Sequence, residues 1–153
     1  MTQLFKLLAS VVIASLIAAL TSCNSKDKEV TTPQSDVKKR LTAKTWQVKE
    51  VTEWESGAKT VVYKRGAANN EDDYAAVRQL FKDDGTVVYT DQDGETGTGG
   101  RYELLENGTV LKLGMPEFGI SVVVYAVKVT DGEFSYRLDT EDGYVLFIFE
   151  PAL

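Results

Sequence analysis

The sequence contains no histidine and a single cysteine, Cys23. Without histidine the chain lacks the side chain that most readily exchanges a proton near neutral pH, and the commonest zinc ligand. Ser-His-Asp triads, Cys-His pairs and most zinc-hydrolase sites are thereby excluded. One cysteine has no second thiol in the chain with which to form a disulfide. Basic residues are also few, 17 Lys and Arg against 23 Asp and Glu; the net charge of −6 becomes −7 once residues 1–22, whose one charged side chain is Lys6, are removed. Phosphate binding needs clustered Lys and Arg, and from Trp46 onward the chain has no such cluster, so nucleic acid is not an expected partner.

Motifs for metals and cofactors are missing too. Residues 91–95 (DQDGE) alternate oxygen ligands as a calcium loop does, but the twelfth position from Asp91 holds Tyr102 where such loops need Glu. Residues 94–100 (GETGTGG) lack the Lys of a phosphate-cradling loop and are expected to form a flexible hairpin tip. Carboxylates such as Glu71, Asp72 and Asp73 could act as acid and base on a glycan only if a pair converged at about 5 to 10 Å, and nothing in the sequence shows that any pair meets. The expectation is a protein that binds rather than catalyses, with no catalytic residues, metal or cofactor.

What the chain does have begins with Lys6, an apolar run over residues 7–20 (LLASVVIASLIAAL) and small residues before Cys23. This is the layout of a secretory signal peptide, and the run is shorter than the roughly 20 apolar residues of a membrane-spanning helix. Leu20-Thr21-Ser22-Cys23 resembles the lipobox of bacterial lipoproteins. The resemblance implies cleavage before Cys23, a thioether from Cys23 to diacylglycerol, and an added acyl chain such as palmitate. Two or three acyl chains at about 0.8 kcal/mol per buried methylene hold a protein stably on a membrane. The expected location is the cell envelope, on the outer membrane, with periplasmic and surface-facing orientations both open.

Residues 23–35 form an expected tether, polar and of mixed charge, with about 20 Å of reach by flexible-chain scaling. Ser35 and Asp36 can cap a short helix in which Val37 and Leu41 share a face, opposite Lys38, Lys39 and Arg40. Residues 36–153 form the expected domain. Five Asp-Gly or Asn-Gly pairs (at 84, 93, 107, 131 and 142) mark tight hairpin turns. Between them lie runs rich in Val, Tyr, Phe, Thr and Ile at 45–53, 60–64, 74–82, 86–90, 100–105, 109–113, 120–129, 133–139 and 144–150. They predict an all-β, antiparallel up-and-down meander of eight to nine strands. Closure into a barrel removes exposed strand edges, and the tight late links favour it over a two-sheet sandwich, which needs long crossings. The last strand is apolar on both faces, so a cover from the N-terminal helix or the chain end is expected there. Residues 65–73 (RGAANNEDD) predict a mobile flap.

The stretches Leu41 with Thr45-Trp46-Gln47-Val48, Phe81-Lys82-Asp83-Asp84-Gly85-Thr86, Tyr102-Glu103-Leu104, Leu111-Lys112-Leu113, Tyr125-Ala126-Val127-Lys128-Val129 and Phe134-Ser135-Tyr136-Arg137-Leu138 resemble the small lipocalin-like lipoproteins of Bacteroides-type bacteria. The likeness runs over about residues 41–150. Lys44 stands where that family has Gly before the first-strand Trp, and Tyr102 where a Trp is common. The resemblance implies a compact calycin barrel and an envelope compartment, and it names no ligand.

A barrel of about eight strands is either filled by its own side chains or holds one small ligand. Strand parity turns Trp46, Phe81, Tyr102, Tyr125, Phe134 and Tyr136 inward, as candidates to line a pocket for a small apolar or amphipathic ligand, with Tyr hydroxyls to orient it. The other reading is a filled barrel that recognises a protein or glycan through its loops, for which an exposed aromatic platform at one barrel end would speak.

Overall fold

In a computed structural model the described residues are 34–116 and 119–153. The expectations for the signal peptide, for Cys23 and for most of the tether fall on residues outside these. One helix, α1 (Gln34–Thr42), precedes nine strands: β1 (Thr45–Glu55), β2 (Ala58–Lys64), β3 (Arg78–Phe81), β4 (Thr86–Thr90), β5 (Thr96–Leu105), β6 (Val110–Met115), β7 (Ile120–Val129), β8 (Phe134–Asp139) and β9 (Gly143–Pro151). All pair antiparallel, and β9 returns to β1 along its length, from Trp46 opposite Pro151 to Glu55 opposite Gly143. The ring β1-β3-β4-β5-β6-β7-β8-β9 is thus a closed eight-stranded barrel, as the hairpin pattern predicts, and β2 is the ninth strand outside the ring.

β2 explains why the expected strand over 74–82 shrinks to four residues. It occupies the flank of β1 from Glu50 to Glu55, leaving β3 only Thr45 to Gln47 to pair with. Residues 65–77 bridge the two. Far from hanging free, they are tied to the barrel: Arg65 donates from its backbone N–H to the Lys49 carbonyl (2.8 Å) and from Nε to that of Val48 (2.7 Å), and the Asn70 carboxamide oxygen accepts from Lys64 N–H (2.8 Å). Tyr74 in this segment lays its ring against Tyr63 and Phe147 at 5.6 and 5.9 Å.

Turn chemistry follows the Gly signals with refinements. Gly85, Gly94 and Gly108 have positive φ, the left-handed conformation their turns require. Ser56-Gly57, missed from the sequence, makes the tight β1–β2 turn with φ of 50° and 84°. Gly143 lacks positive φ and is needed for space, since a Cβ there would overlap the Trp54 carbonyl oxygen. Residues 97–100, expected in a flexible hairpin tip, belong to β5. Gly97 leaves room for the Tyr89 ring and Gly100 for Val87.

α1 begins at Gln34, so Gln34 and Ser35 belong to the helix rather than the tether. It packs at the barrel end that holds the β3–β4, β5–β6 and β7–β8 turns. Leu41 is fully buried, Val37 contacts the core, and Trp46 Nε1 donates to the Leu41 carbonyl at 2.8 Å. On the polar side Lys38 Nζ donates to the Asp83 carbonyl, Lys44 Nζ to that of Asp131, and Arg40 pairs with Asp131. The helix therefore does not cover the outer face of β9, where Tyr144, Leu146 and Ile148 stay half-buried. Outward positions elsewhere carry charge (Arg101, Glu103, Lys112, Lys128), the reverse of a membrane-spanning barrel, whose outer band is apolar. The described residues belong to one compact unit with its own core, the condition for folding alone.

Candidate ligand-binding site

Alternation along each strand sets the barrel's interior, and burial divides that interior in two. At the α1 end the inward side chains Trp46, Phe81, Phe134, Phe149, Leu111 and Val124 are at most 1% exposed. Phe134 is the hub: its ring lies 5.7 Å from Trp46, 5.6 Å from Phe81, 5.5 Å from Tyr136 and 5.1 Å from Phe149. Tyr102 closes the layer with its ring edge-on to Phe81 at 5.1 Å and its hydroxyl donating to the Lys82 carbonyl at 2.7 Å. Burial, followed by the nearby Asp83 and Asp84, pushes its phenol up to about 12. Tyr102 thus completes the packed layer at this end.

At the opposite end the inward side chains Tyr89, Leu113, Met115, Val122, Leu138, Val145 and Phe147 are only half-buried, and Ile120 is 47% exposed. The inward side chains of this end are apolar except on β1, where Glu53 stands opposite Val145 and Glu55 opposite Gly143 at the strand's end. Between the two halves Tyr136 reaches from β8 to β3, three strands round the ring, where its hydroxyl accepts from Gln79 Nε2 at 3.4 Å. Burial is the main cause that drives the Tyr136 phenol up to about 12, opposed by the Gln79 contact. Tyr136 and Gln79 form the floor of the open half. Its wall is completed by Tyr74, whose phenol is raised by burial and then by Asp72 and Glu53.

Of the six aromatics expected to line a pocket, Trp46, Phe81, Tyr102 and Phe134 sit inside the sealed half, in contact with one another. Tyr136 is at the floor. Tyr125 is corrected: it is 39% exposed and points outward. In sequence it shares the parity of Val127 and Val129, but a bulge intervenes at Ala126, with φ of 52°, which shifts the β7–β8 register between Tyr125 and Lys128. One extra residue flips every side chain before it to the other face. Sequence reasoning also passed over Gln79, whose signal was a polar residue at the parity of Phe81. The Asp91 carboxylate, weighed as a calcium ligand, accepts the Asp93 and Glu95 N–H groups at 3.0 and 2.9 Å and caps its own turn.

On the outer surface beside the open end, Trp54 and Tyr144 pair across β1 and β9 with rings 5.7 Å apart and 20° from parallel. Lys59 Nζ lies 5.9 Å from the Trp54 ring centre. The pair borders a depression of about 350 Å³ that is also lined by Glu53, Glu55, Glu141 and Asp142.

The class these features define is a closed antiparallel β-barrel, tightly packed at one end and half-buried at the other. No protein-family model matches the sequence, and no curated protein matches it.

Proposed function

We propose that this protein is a membrane-anchored lipoprotein whose lipocalin-like barrel binds one small apolar or amphipathic molecule in its open half, acting by binding and not by catalysis. The observation that carries this reading is the gradient of burial along the lumen. Side chains that alternation turns inward are sealed at the α1 end and half-exposed, yet apolar, at the other. A concave apolar wall with a few polar groups at its base is the usual form of a small-ligand site. Cys23 provides the lipid anchor, and residues between it and α1 let the barrel stand off the envelope membrane.

Two measurements test the proposal. Residues 34–153 titrated with an apolar fluorescent probe should show saturable one-to-one binding, and the bound probe should perturb Leu138 and Phe147 resonances while leaving Trp46 unmoved. Absence of saturable binding, or perturbation confined to the outer surface, would remove the barrel from consideration. For the anchor, cells fed labelled fatty acid should incorporate it into the native chain and not into Cys23→Ala; label in both would refute lipidation at Cys23.

A second reading, an interaction module recognising a protein or glycan, draws on the half-exposed Trp54–Tyr144 pair and the carboxylates around it, since aromatic faces and hydrogen-bond acceptors together hold sugar rings. Under this reading Trp54→Ala abolishes retention on a glycan or partner surface and leaves probe binding in the barrel unchanged.

A further inference from the structure

The apolar outer face of β9 has no layer over it among the described residues, since α1 packs at the barrel end. Register carries an outward row across five strands: Tyr125 stands opposite Arg137, Arg137 opposite Leu146, Leu146 opposite Thr52, and Thr52 opposite Val61. The Trp54–Tyr144 pair flanks this row on one side and Ile148 on the other. Tyr125 is 39% and Val61 45% exposed, while Trp54, Tyr144, Leu146 and Ile148 are half-buried. A contiguous apolar patch rimmed by charge is the form of a contact surface.

The rim decides the charge of what fits. Two of its cations are already paired, Arg137 with Asp139 at 2.7 Å and Lys64 with Glu50 at 3.8 Å. That leaves Lys59, whose Nζ lies over the Trp54 ring, against Glu53, Glu55, Glu141 and Asp142 around the adjoining depression of about 350 Å³. Those four carboxylates make no hydrogen bond or ion pair among the described residues, and they do not converge to hold a metal ion. A second copy of this chain laid on the same face would set like charge on like, and an anionic bilayer meets the same repulsion.

From this juxtaposition we infer that the β1–β9 wall docks an extended basic segment of another protein. An Arg side chain of that segment enters the depression and donates to the carboxylates of Glu141, Asp142 or Glu55, and an apolar side chain rests on Leu146 and Val61. Leu146 lies two residues from Tyr144 along β9, about 7 Å, which is also the spacing of successive side chains on one face of an extended peptide. The wall holds its own Arg137 in the same manner, with Cζ 5.4 Å from the Tyr144 ring centre and Nε on the Asp139 carboxylate. A planar guanidinium suits such a place because it lies on an aromatic ring while its N–H groups donate to a carboxylate.

This inference rests on the reading of Trp54 and Tyr144 as a recognition surface, and one experiment separates the two. Residues 34–153 are titrated with the dye-labelled peptide Arg-Leu-Leu-Arg-Arg-Leu, with its counterparts carrying Glu for Arg or Ser for Leu, and with neutral cellohexaose. Peptide anisotropy and the indole N–H resonances of Trp54 and Trp46 are followed. The Arg-Leu peptide should bind saturably and shift Trp54 while leaving Trp46 unmoved; the Glu counterpart should not saturate, and the Ser counterpart should bind more weakly. Changing Glu141→Gln together with Asp142→Asn, both exposed turn residues, should weaken the Arg-Leu peptide about tenfold and flatten its salt dependence, whereas Glu103→Gln on β5 should leave it within about twofold. Equal binding of the Arg and Glu peptides, or undiminished binding in the Glu141/Asp142 variant, overturns the inference. A Trp54 shift with cellohexaose and none with the Arg-Leu peptide also overturns it and leaves the recognition surface standing. If neither moves Trp54, both readings fall.

Discussion

Truncating two phenylalanines that stand in the same lumen should separate its sealed half from its open half by stability alone. Phe134 is 0% exposed, and its ring touches those of Trp46, Phe81, Tyr136 and Phe149. Phe134→Ala removes the buried ring and leaves a cavity whose walls, themselves large rings held by strands on every side, cannot collapse into it. The cost should lie at the upper end of the usual range for such changes, about 4 to 5 kcal/mol. Phe147 is one inward position further along β9 toward the mouth and only half-buried. The space left by Phe147→Ala opens to water, so mainly the transfer contribution is lost, about 1 to 2 kcal/mol. At about 4 °C per kcal/mol for a domain of this size, the expected drops in Tm are about 16–20 °C and 4–8 °C. Urea denaturation followed by tryptophan fluorescence gives the same comparison at fixed temperature, with unchanged slopes as the check on two-state unfolding. Equal losses for the two variants would refute the division of the lumen and, with it, the location of the candidate site.

Gly143→Ala should cost about 3 kcal/mol or more, because the added Cβ meets the Trp54 carbonyl and forces β9 away from β1, whereas Gly132→Ala, with open space around it, should change Tm by a degree or two at most. Tyr125→Ser should alter stability by no more than about 0.5 kcal/mol, as for other exposed positions; a loss above 2 kcal/mol would mean that the side chain faces the core after all. The phenol of Tyr136 has a folded pKa raised from 10.0 to about 12, so the folded state holds this proton more tightly than the unfolded chain. Its contribution to stability is complete below pH 10 and is lost as pH rises from 10 to 12. Alkaline unfolding should therefore begin in that window, coincident with phenolate absorbance, and Tyr136→Phe should flatten the dependence; an unchanged pH profile would count against its burial.

Much of the fold was legible because hairpins are local. A turn pair such as Asp84-Gly85 or Asn107-Gly108 declares its geometry within a few residues, and alternation in Phe134, Tyr136 and Leu138 declares which face is inward. Both signals survive wherever the strand is regular, which is why Trp46, Phe81, Tyr102, Phe134 and Tyr136 were assigned to the interior. They fail where regularity breaks. No local feature of Tyr125-Ala126 announces the bulge, because it arises where β7 must satisfy the register of β8 and also donate the Val127 N–H to the Thr109 carbonyl at 2.9 Å. Likewise Gly97 and Gly100 read as a flexible tip until Tyr89 and Val87, from the neighbouring strand, are laid over them.

By itself the sequence determined the all-β class, the hairpin order, the helix bearing Val37 and Leu41, and the apolar content of the lumen, since each follows from the spacing of residues a few positions apart. Only the tertiary structure decided that β2 stands outside the ring, that α1 seals one end and leaves β9 uncovered, and that Gln79 and Tyr136 meet across the lumen to form a floor. Those outcomes depend on which strands compete for the same edge of β1 and on contacts between residues more than fifty positions apart, and no local periodicity encodes them.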